Sequence, residues 1–482
     1  MTPRRRDGDR LDAIIVGAGP NGLAAAIELA RAGRAVRIYE AGETVGGGTR
    51  SAELTLPGFV HDPCASVHPL GMASPFFRSL DLARHGLEWV QPEAPVAHAL
   101  GPGRSIVLER DLAAIDGALG ADADAWRRLF GPLVREWERL VPAILAPIAR
   151  PPRHPVLLAR FGLPAVLPAT SLTRLAFREP AARALFAGMA AHSMLRLGQP
   201  LSGSFGLVLG LLAHAVGWPL ARGGSAAIAS ALEAEARSLG VEIVTGHRVD
   251  SLAALPAARA VLLDLTPRQV LSIAGERLPP GYRRQLEGFR YGPGVFKIDW
   301  ALDGPIPWSD PATARAGTVH VGGPMREVAT SEDAVGRGRH AERPFVLLVQ
   351  PTIADPTRAP EGKHVAWAYC HVPNGSTGDM TAAIETQVER FAPGFRDLVL
   401  ARAAKNAQAM EAYDANYVGG DINGGVGDWR QLLFRPVVRW NPYTTPDRGI
   451  YLCSSSTPPG GGVHGMSGML AAREAERALR RT

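Results

Sequence analysis

Residues 12–40 carry the tightest constraint in this 482-residue chain. Asp12-Ala13-Ile14-Ile15-Val16 is short, apolar and rich in β-branched side chains, as a strand buried on both faces must be. It runs directly into Gly17-Ala18-Gly19-Pro20-Asn21-Gly22, then a helix-forming stretch over 23–32 closed by Gly33, then a second strand over 35–39 ending at Glu40. Gly17 allows the tight turn, Gly19 lets the backbone approach a pyrophosphate, and Gly22 lets the helix pack closely on the strand. The first helical turn, with Pro20 and Asn21, offers free N–H groups and a positive dipole end to phosphate. Glu40 follows Gly17 by 23 residues, where an acid accepts hydrogen bonds from a ribose diol. Strand, loop, helix, strand and acid in this order predict a Rossmann-type unit that binds a dinucleotide.

The composition supports a folded chain of two or three domains and excludes other classes. Apolar residues make up 46% and charged residues 20%, enough for a large core and against disorder. Lys plus Arg outnumber Asp plus Glu by 52 to 46, yet Lys297, Lys363 and Lys405 are the only lysines. The arginines are interspersed with acids, so a nucleic-acid partner is not expected. Cys64, Cys370 and Cys453 are odd in number and far apart, which fits a reducing cytoplasm better than a disulfide framework or a zinc site. Arg4-Arg5-Arg6 resembles the start of an export signal, but the apolar run after it breaks at the glycine loop, so a mature domain is expected there. The stretch from 196 to 222 has no charge between its flanking arginines. Its five glycines, two prolines and His214 predict a buried helix rather than a membrane span.

Three separated segments resemble the phytoene desaturase-like FAD-dependent oxidoreductases, including the branch with pyridine nucleotide-disulphide oxidoreductase domains, and more distantly the flavin amine oxidases. Glu40-Ala41-Gly42-Glu43-Thr44-Val45 leads into Gly46-Gly47-Gly48-Thr49-Arg50, like the paired-glycine loop that follows the ribose acid in these enzymes. An arginine often follows that glycine pair; Gly48 stands there instead, so either Arg50 replaces it as phosphate or carbonyl partner or the contact is absent. Arg222-Gly223-Gly224-Ser225, a helix over 226–239 and a strand over 241–245 resemble the segment whose valine meets adenine, here Val249. The apolar run 260–265 ends at Thr266-Pro267, like the family's strand-to-cofactor turn, with a shortened crossover between Val249 and Val261. A strand over 448–453, a turn holding Ser455, the loop Gly460-Gly461-Gly462-Val463-His464-Gly465 and a helix over 466–480 resemble the closing FAD segment. The resemblance implies contacts from Ser455, Gly462, Val463, His464 and Met466, with helix-start amides on the flavin carbonyl. Only 17 residues follow Gly465, with no strand or ribose acid, so this last loop is no second nucleotide fold. FAD is therefore expected, without a stable NAD domain; oxygen, a quinone or a transient nicotinamide would take the electrons.

The expected fold is α/β: a glutathione reductase-like Rossmann domain from 1–95, 215–290 and 420–482, plus a mixed α+β substrate domain from 96–214 and 291–419. Trp126, Leu129, Phe130, Leu133, Trp137 and Leu140 recur at helical spacing. Residues 154–177 are apolar with Arg160 and Arg174, suited to a core-edge helix or to an interfacial one near lipid. A hydrophobic or amphiphilic small-molecule substrate follows, in a cytoplasmic protein with peripheral membrane contact as a variant. Strand 291–300 resembles the amine oxidase strand whose lysine holds a water opposite flavin N5, which makes Lys297 a catalytic candidate. Its neighbours give no clean alternation, so a surface lysine on a strand edge is the alternative. His464 is the second catalytic candidate, as proton acceptor or pocket residue, with a helix-cap role as alternative. His61, Asp62, Cys64, Ser66 and His68 suggest pocket lining more than metal ligation. The expected chemistry is hydride transfer from a substrate C–H to flavin N5, giving desaturation, dehydrogenation or isomerisation. Amine or amino-acid oxidation is the enzymatic alternative, and an FAD-stabilised interaction or regulatory module the non-enzymatic one.

Overall fold

The computed structural model describes residues 11–147 and 153–481; the arginines at 4–6 lie outside them. In chain order the sheet strands begin with β1 (Leu11–Val16), β2 (Val36–Tyr39), β3 (Ala94–Gly101), β4 (Arg104–Leu108), β5 (Glu242–Val244) and β6 (Ala258–Leu263). They continue with β7 (Gly294–Leu302), β8 (Ala316–Val321), β9 (Val346–Val349), β10 (His364–Val372), β11 (Val399–Lys405) and β12 (Ile450–Leu452). Helices α1 (Pro20–Arg31), α2 (Pro180–Ala191), α3 (Ser202–Ala215) and α4 (Met466–Leu479) complete the parts that matter for the site.

The first sheet runs β12-β6-β1-β2-β5 and is parallel throughout. Its central strand explains its sequence. Ile14 and Ile15 are both fully buried but serve opposite faces. Ile15 packs in the core shared with α1 and α4, and Ile14 in the one with Val270 and Tyr282. A strand covered on both sides has no position for a polar side chain, hence the unbroken apolar run. The link between β5 and β6 holds only the short turn Leu252–Ala254, so the crossover is indeed brief.

The second sheet runs β11-β7-β10-β9-β8-β3-β4, antiparallel except where β3 pairs with β8. Strand β3, at 94–101, belongs to this sheet, so the division drawn at residue 95 falls inside it. Alternation sorts its two faces. Phe296, Ile298 and Trp300 of β7 point to a core with Leu348, Val319 and helix Thr381–Phe391. The other face carries Lys297 and Asp299 of β7, in register with Tyr369 and Trp367 of β10. Leu347 and Val349 of β9 and Thr318 and His320 of β8 continue this face through their pairings. Helices α2 and α3 cover part of it.

The helical spacing read at 126–140 resolves into Ala123–Arg135 and Trp137–Ile144, with Trp126 stacked on Phe177 at 5.4 Å. Within 196–222 the structure forms α3, a largely buried 14-residue helix. No single helix among the described residues is long and apolar enough to cross a membrane; Pro155–Ala165 and Ala169–Ala176 reach that composition together but are bent by 105°.

Candidate functional site

One cavity of about 1380 Å³ runs from the β1–α1 loop, across the 461–466 segment, to the second sheet. At its first end the helix start is shaped by contact distances rather than by charge. A Cβ on Gly22 would lie 2.0 Å from the Gly17 carbonyl oxygen, so only glycine lets α1 begin there. The Glu40 carboxylate accepts from the Ala18 amide (2.7 Å), the Gly42 amide (2.8 Å) and the Arg50 guanidinium (3.1 Å). Arg50 thus braces Glu40 and also donates to the Thr44 carbonyl. Asn21 lines the cavity at the helix start, and its Oδ1 is buried without a partner.

Asp264, just beyond β6, is the residue that sequence reasoning missed here. It accepts from the Gly22 amide at 2.8 Å and stands where an anion at the helix start would also look for donors. Burial, offset in part by that amide and reinforced by Asp414 and Glu40, pushes its carboxyl up to about 8. It is therefore largely protonated at pH 7, and a neutral group does not repel phosphate. The available signal was an acid just beyond the carboxyl end of a parallel strand next to β1. Thr266 and Pro267, read as the contact in this turn, are off the cavity wall: Thr266 is buried and precedes helix Pro267–Ala274.

The middle of the cavity explains the absent arginine after the glycine pair. A Cβ on Gly48 would lie 2.2 Å from the Tyr417 hydroxyl, so Tyr417 fills the space a side chain there would need. Cys64 lies against the same hydroxyl, and burial pushes its thiol up to about 11, keeping it unreactive at neutral pH. Ser455, Gly461, Gly462 and Val463 line the cavity ahead of α4, and Met466 at its start. His464 is fully buried behind them rather than on the wall. Its Nδ1 accepts from the Met466 amide at 3.0 Å, and burial pulls it down to about 4, so it is neutral and acts as the helix-start cap.

Lys297 is no surface residue. It is 2% exposed, on a central strand, with Nζ 2.5 Å from Asp299 Oδ1 and 4.9 Å from the Trp367 ring centre. It is on the cavity side of the sheet, but Trp367 and Tyr369 form the wall there, not Lys297. Burial raises the Asp299 carboxyl and holds nearby His61 down at about 3.

The 61–68 segment joins the two sheets. Asp62 pairs with fully buried Arg358 at 2.6 Å and accepts from Ser51, Ser66 and the Ser225 amide. Burial opposes its charge, but Arg358 outweighs that and pulls the carboxyl down to about 2. Trp367 donates to Ser66 at 2.9 Å, and His68 meets Ser225 at 2.8 Å. Cys64, Ser66 and His68 line the cavity; His61 and Asp62 do not.

Of the residues singled out from sequence, Gly17, Gly19, Pro20, Asn21, Glu40, Ala41, Gly47, Gly48, Arg50, Val249, Ser455, Gly462, Val463 and Met466 share this one wall. Gly22, Gly46 and Thr49 lie just behind it, shaping the loops; Thr49 Oγ1 donates to the Gly46 carbonyl at 2.7 Å. Beyond the cradle the wall becomes apolar, with Phe161, Val208, Leu209, Trp218 and Leu347. The polar residues there, His192, Thr318 and Tyr369, had no sequence signal because they come from unrelated segments.

Residues 15–81 match the NAD(P)-binding Rossmann-like domain. Over 97% of its length the chain is 27% identical to the pyridine nucleotide-disulfide oxidoreductase domain-containing protein 2 of Rattus norvegicus, covering 94% of that protein. It is 25% identical to the phytoene dehydrogenase of Streptomyces griseus, over 80% of this chain and 77% of that one. In fold it is similar to the cyclohexylamine oxidase of Brevibacterium oxydans, with a TM-score of 0.60, 16% identity, and coverage of 98% of this chain and 99% of that one.

Proposed function

The chain belongs to the phytoene desaturase-like oxidoreductases, the family that includes the pyridine nucleotide-disulfide oxidoreductase domain-containing proteins, and on that premise we propose that it binds FAD and oxidises a C–H bond of a hydrophobic or amphiphilic substrate. The observation that carries this reading is the continuity of the cavity from glycine cradle to apolar chamber. Its volume exceeds the roughly 300–1,000 Å³ of a site for one drug-sized ligand, leaving room for a dinucleotide and a second molecule. The cradle fits the cofactor: a glycine loop at the start of α1, the unpartnered Asn21 Oδ1, Glu40 on the wall and a neutral Asp264. FAD, when bound, supplies the hydride acceptor.

The protein's own part is binding, orientation and exclusion of water. Glu40 holds a ribose, α1 and the 461–466 segment direct backbone N–H groups at phosphate and ring, and the apolar wall keeps the reacting carbon dry. Lys297 acts behind the wall: paired with Asp299 under Trp367, it fixes the ring that bounds the chamber. Oxygen, a quinone or a transient nicotinamide accepts the electrons. Desaturation, dehydrogenation and isomerisation all fit this arrangement.

Amine or amino-acid oxidation is the second reading, favoured by the fold likeness to cyclohexylamine oxidase. Against it, the acids on the wall are Glu40, Asp264 and Asp414 at the cradle, Asp250 near Val249, and Glu138, which pairs with Arg78. None stands in the chamber to hold an ammonium. Peripheral membrane contact is also part of the proposal. Val156, Leu163 and Leu175 are exposed on a stretch, 153–176, that has Arg153, Arg160 and Arg174 but no acid, and Phe161 and Val166 of that stretch line the cavity.

Purification followed by an absorption spectrum and anaerobic titration tests the reading. We expect a flavin spectrum that bleaches with a lipophilic polyene and not with alkylamines. Bleaching by amines alone moves the assignment to the second reading. A bound flavin bleached by neither class favours the interaction module, and colourless protein removes FAD.

A further inference from the structure

Of the four histidines that line the cavity, His68, His154, His192 and His247, His192 has a chain of buried histidines behind it. His192 follows α2 and is partly exposed along the cavity. Its Nε2 lies 2.9 Å from Nε2 of His320, which β8 holds fully buried. Beside it on β3, His98 is equally buried, with Nε2 at 2.7 Å from the Gly323 carbonyl. The Nδ1 atoms of both His98 and His320 are buried without partners. Gly188 of α2 closes the space over them: a Cβ there would lie 2.4 Å from His320 Nδ1 and 2.7 Å from His98 Nδ1.

These contacts order the protons. A carbonyl only accepts, so His98 carries its proton on Nε2 and its Nδ1 is a bare acceptor. A proton on His320 Nδ1 would be an orphaned buried N–H, the costliest arrangement available. The proton of His320 therefore sits on Nε2 and is donated to His192 Nε2. A neutral His192 then has its proton on Nδ1, an atom with no partner among the described residues. Burial holds all three rings neutral, with His192 near 3, His98 near 4 and His320 well below its ordinary value.

We propose that His192 presents an Nδ1–H donor to the chamber and holds an acceptor oxygen of an otherwise apolar substrate, a carbonyl being the best match. His320 is the positioning residue, since it sets the tautomer through Nε2. The Trp218 ring lies 5.9 Å from that of His192, centre to centre, and Phe161, Val208, Leu209 and Leu347 line the same cavity. In such surroundings a donor without water favours the molecule that supplies the missing acceptor. The assignment rests on the reading of this cavity as a substrate chamber.

The test uses the protein as purified, titrated calorimetrically with 2-decanone, 1-decene and decylamine. The ketone should bind about fivefold more tightly than the alkene, and the amine no better than the alkene. In His192→Phe the ketone-to-alkene ratio should fall to about one; taking the ratio cancels any general loosening of the chamber. Nitrogen-15 spectra of histidine-labelled wild-type protein at pH 7 should show His192 protonated at Nδ1, its signals identified by their loss in His192→Phe. Preference for the amine, an unchanged ratio in the variant, no ketone binding, or a proton on Nε2 each overturns the proposal. The absorption spectrum is read separately: colourless protein that still prefers the ketone loses the FAD reading and keeps this subsite.

Discussion

Backbone makes one end of the cavity and side chains make the other. At the cradle, amides of Ala18, Gly22 and Gly42 are ordered by two carboxyl groups, Glu40 and Asp264, and the shape is set by absent Cβ atoms. In the chamber, β8 contributes Thr318, β9 Leu347 and Val349, β10 Trp367 and Tyr369, α3 Val208 and Leu209, and the end of α2 His192, and shape is set by which side chains lie on the wall. The difference teaches where each end is vulnerable. A cradle tolerates no added carbon, whereas a chamber tolerates exchange of its apolar surface but not an unpaired charge behind it.

Gly22→Ala should break the cradle outright. With its Cβ 2.0 Å from the Gly17 oxygen, either loop or helix must move, costing about 3 kcal/mol or more, with loss of bound flavin. Thermal unfolding and flavin content check this, and an intact, yellow variant would refute the close-packing account.

The chamber counterpart is Lys297→Met. It leaves Asp299 buried without its cation and should cost about 3 kcal/mol in urea unfolding. Lys297→Met with Asp299→Leu should recover most of that stability. If turnover recovers too, Lys297 serves the wall; if turnover stays low in the stable double variant, Lys297 takes part in the chemistry.

Gly48→Ala sharpens the comparison where the two ends meet. Displacing the Tyr417 hydroxyl should weaken flavin binding about tenfold, or about 1.4 kcal/mol. Adding Tyr417→Phe should restore part of it by removing the oxygen that clashes. No effect of either substitution on the flavin dissociation constant would place Tyr417 outside the site.

The smallest effect concerns Asp264. Its folded carboxyl titrates near 8 rather than near 4, so its contribution to stability is full below about pH 4 and is lost as pH rises through 8. Asp264→Asn keeps an acceptor for the Gly22 amide and removes that loss. Without added flavin, the variant should melt about 1 °C above wild type at pH 8, about 1 kcal/mol, and by less at pH 5. Equal melting profiles at both pH values would show that the carboxyl is not held protonated.

The contrast between the ends is also a contrast in legibility. Gly17, Gly19 and Glu40 were readable because each lies within a short window whose spacing is imposed by one turn or one strand, whereas Val249 was read from resemblance. Lys297 was read from resemblance, and its burial was not visible, because β7 is covered on both faces and alternation there separates two interiors rather than inside from outside. Thr266 and Pro267 were expected at the cofactor by analogy with a turn, and the cavity wall after β6 is formed by Asp264 and Leu265. His464 was taken as a pocket residue, although the turn into α4 rotates its ring behind the wall.

What the sequence by itself determined is the βαβ nucleotide unit, the closing glycine loop and the assignment to an oxidoreductase family, since glycine positions and strand periods are local properties of the chain. Only the tertiary structure decided the chamber. Residues 192, 318 and 369 come from a helix end and two strands, and no spacing relates them. They meet because the second sheet aligns its strands in register, and the tautomer of His192 depends on His320, on the same strand as Thr318, and on His98, on the neighbouring β3. Proton placement of that kind is a property of packed neighbours, and it exists only once the chain has brought them together.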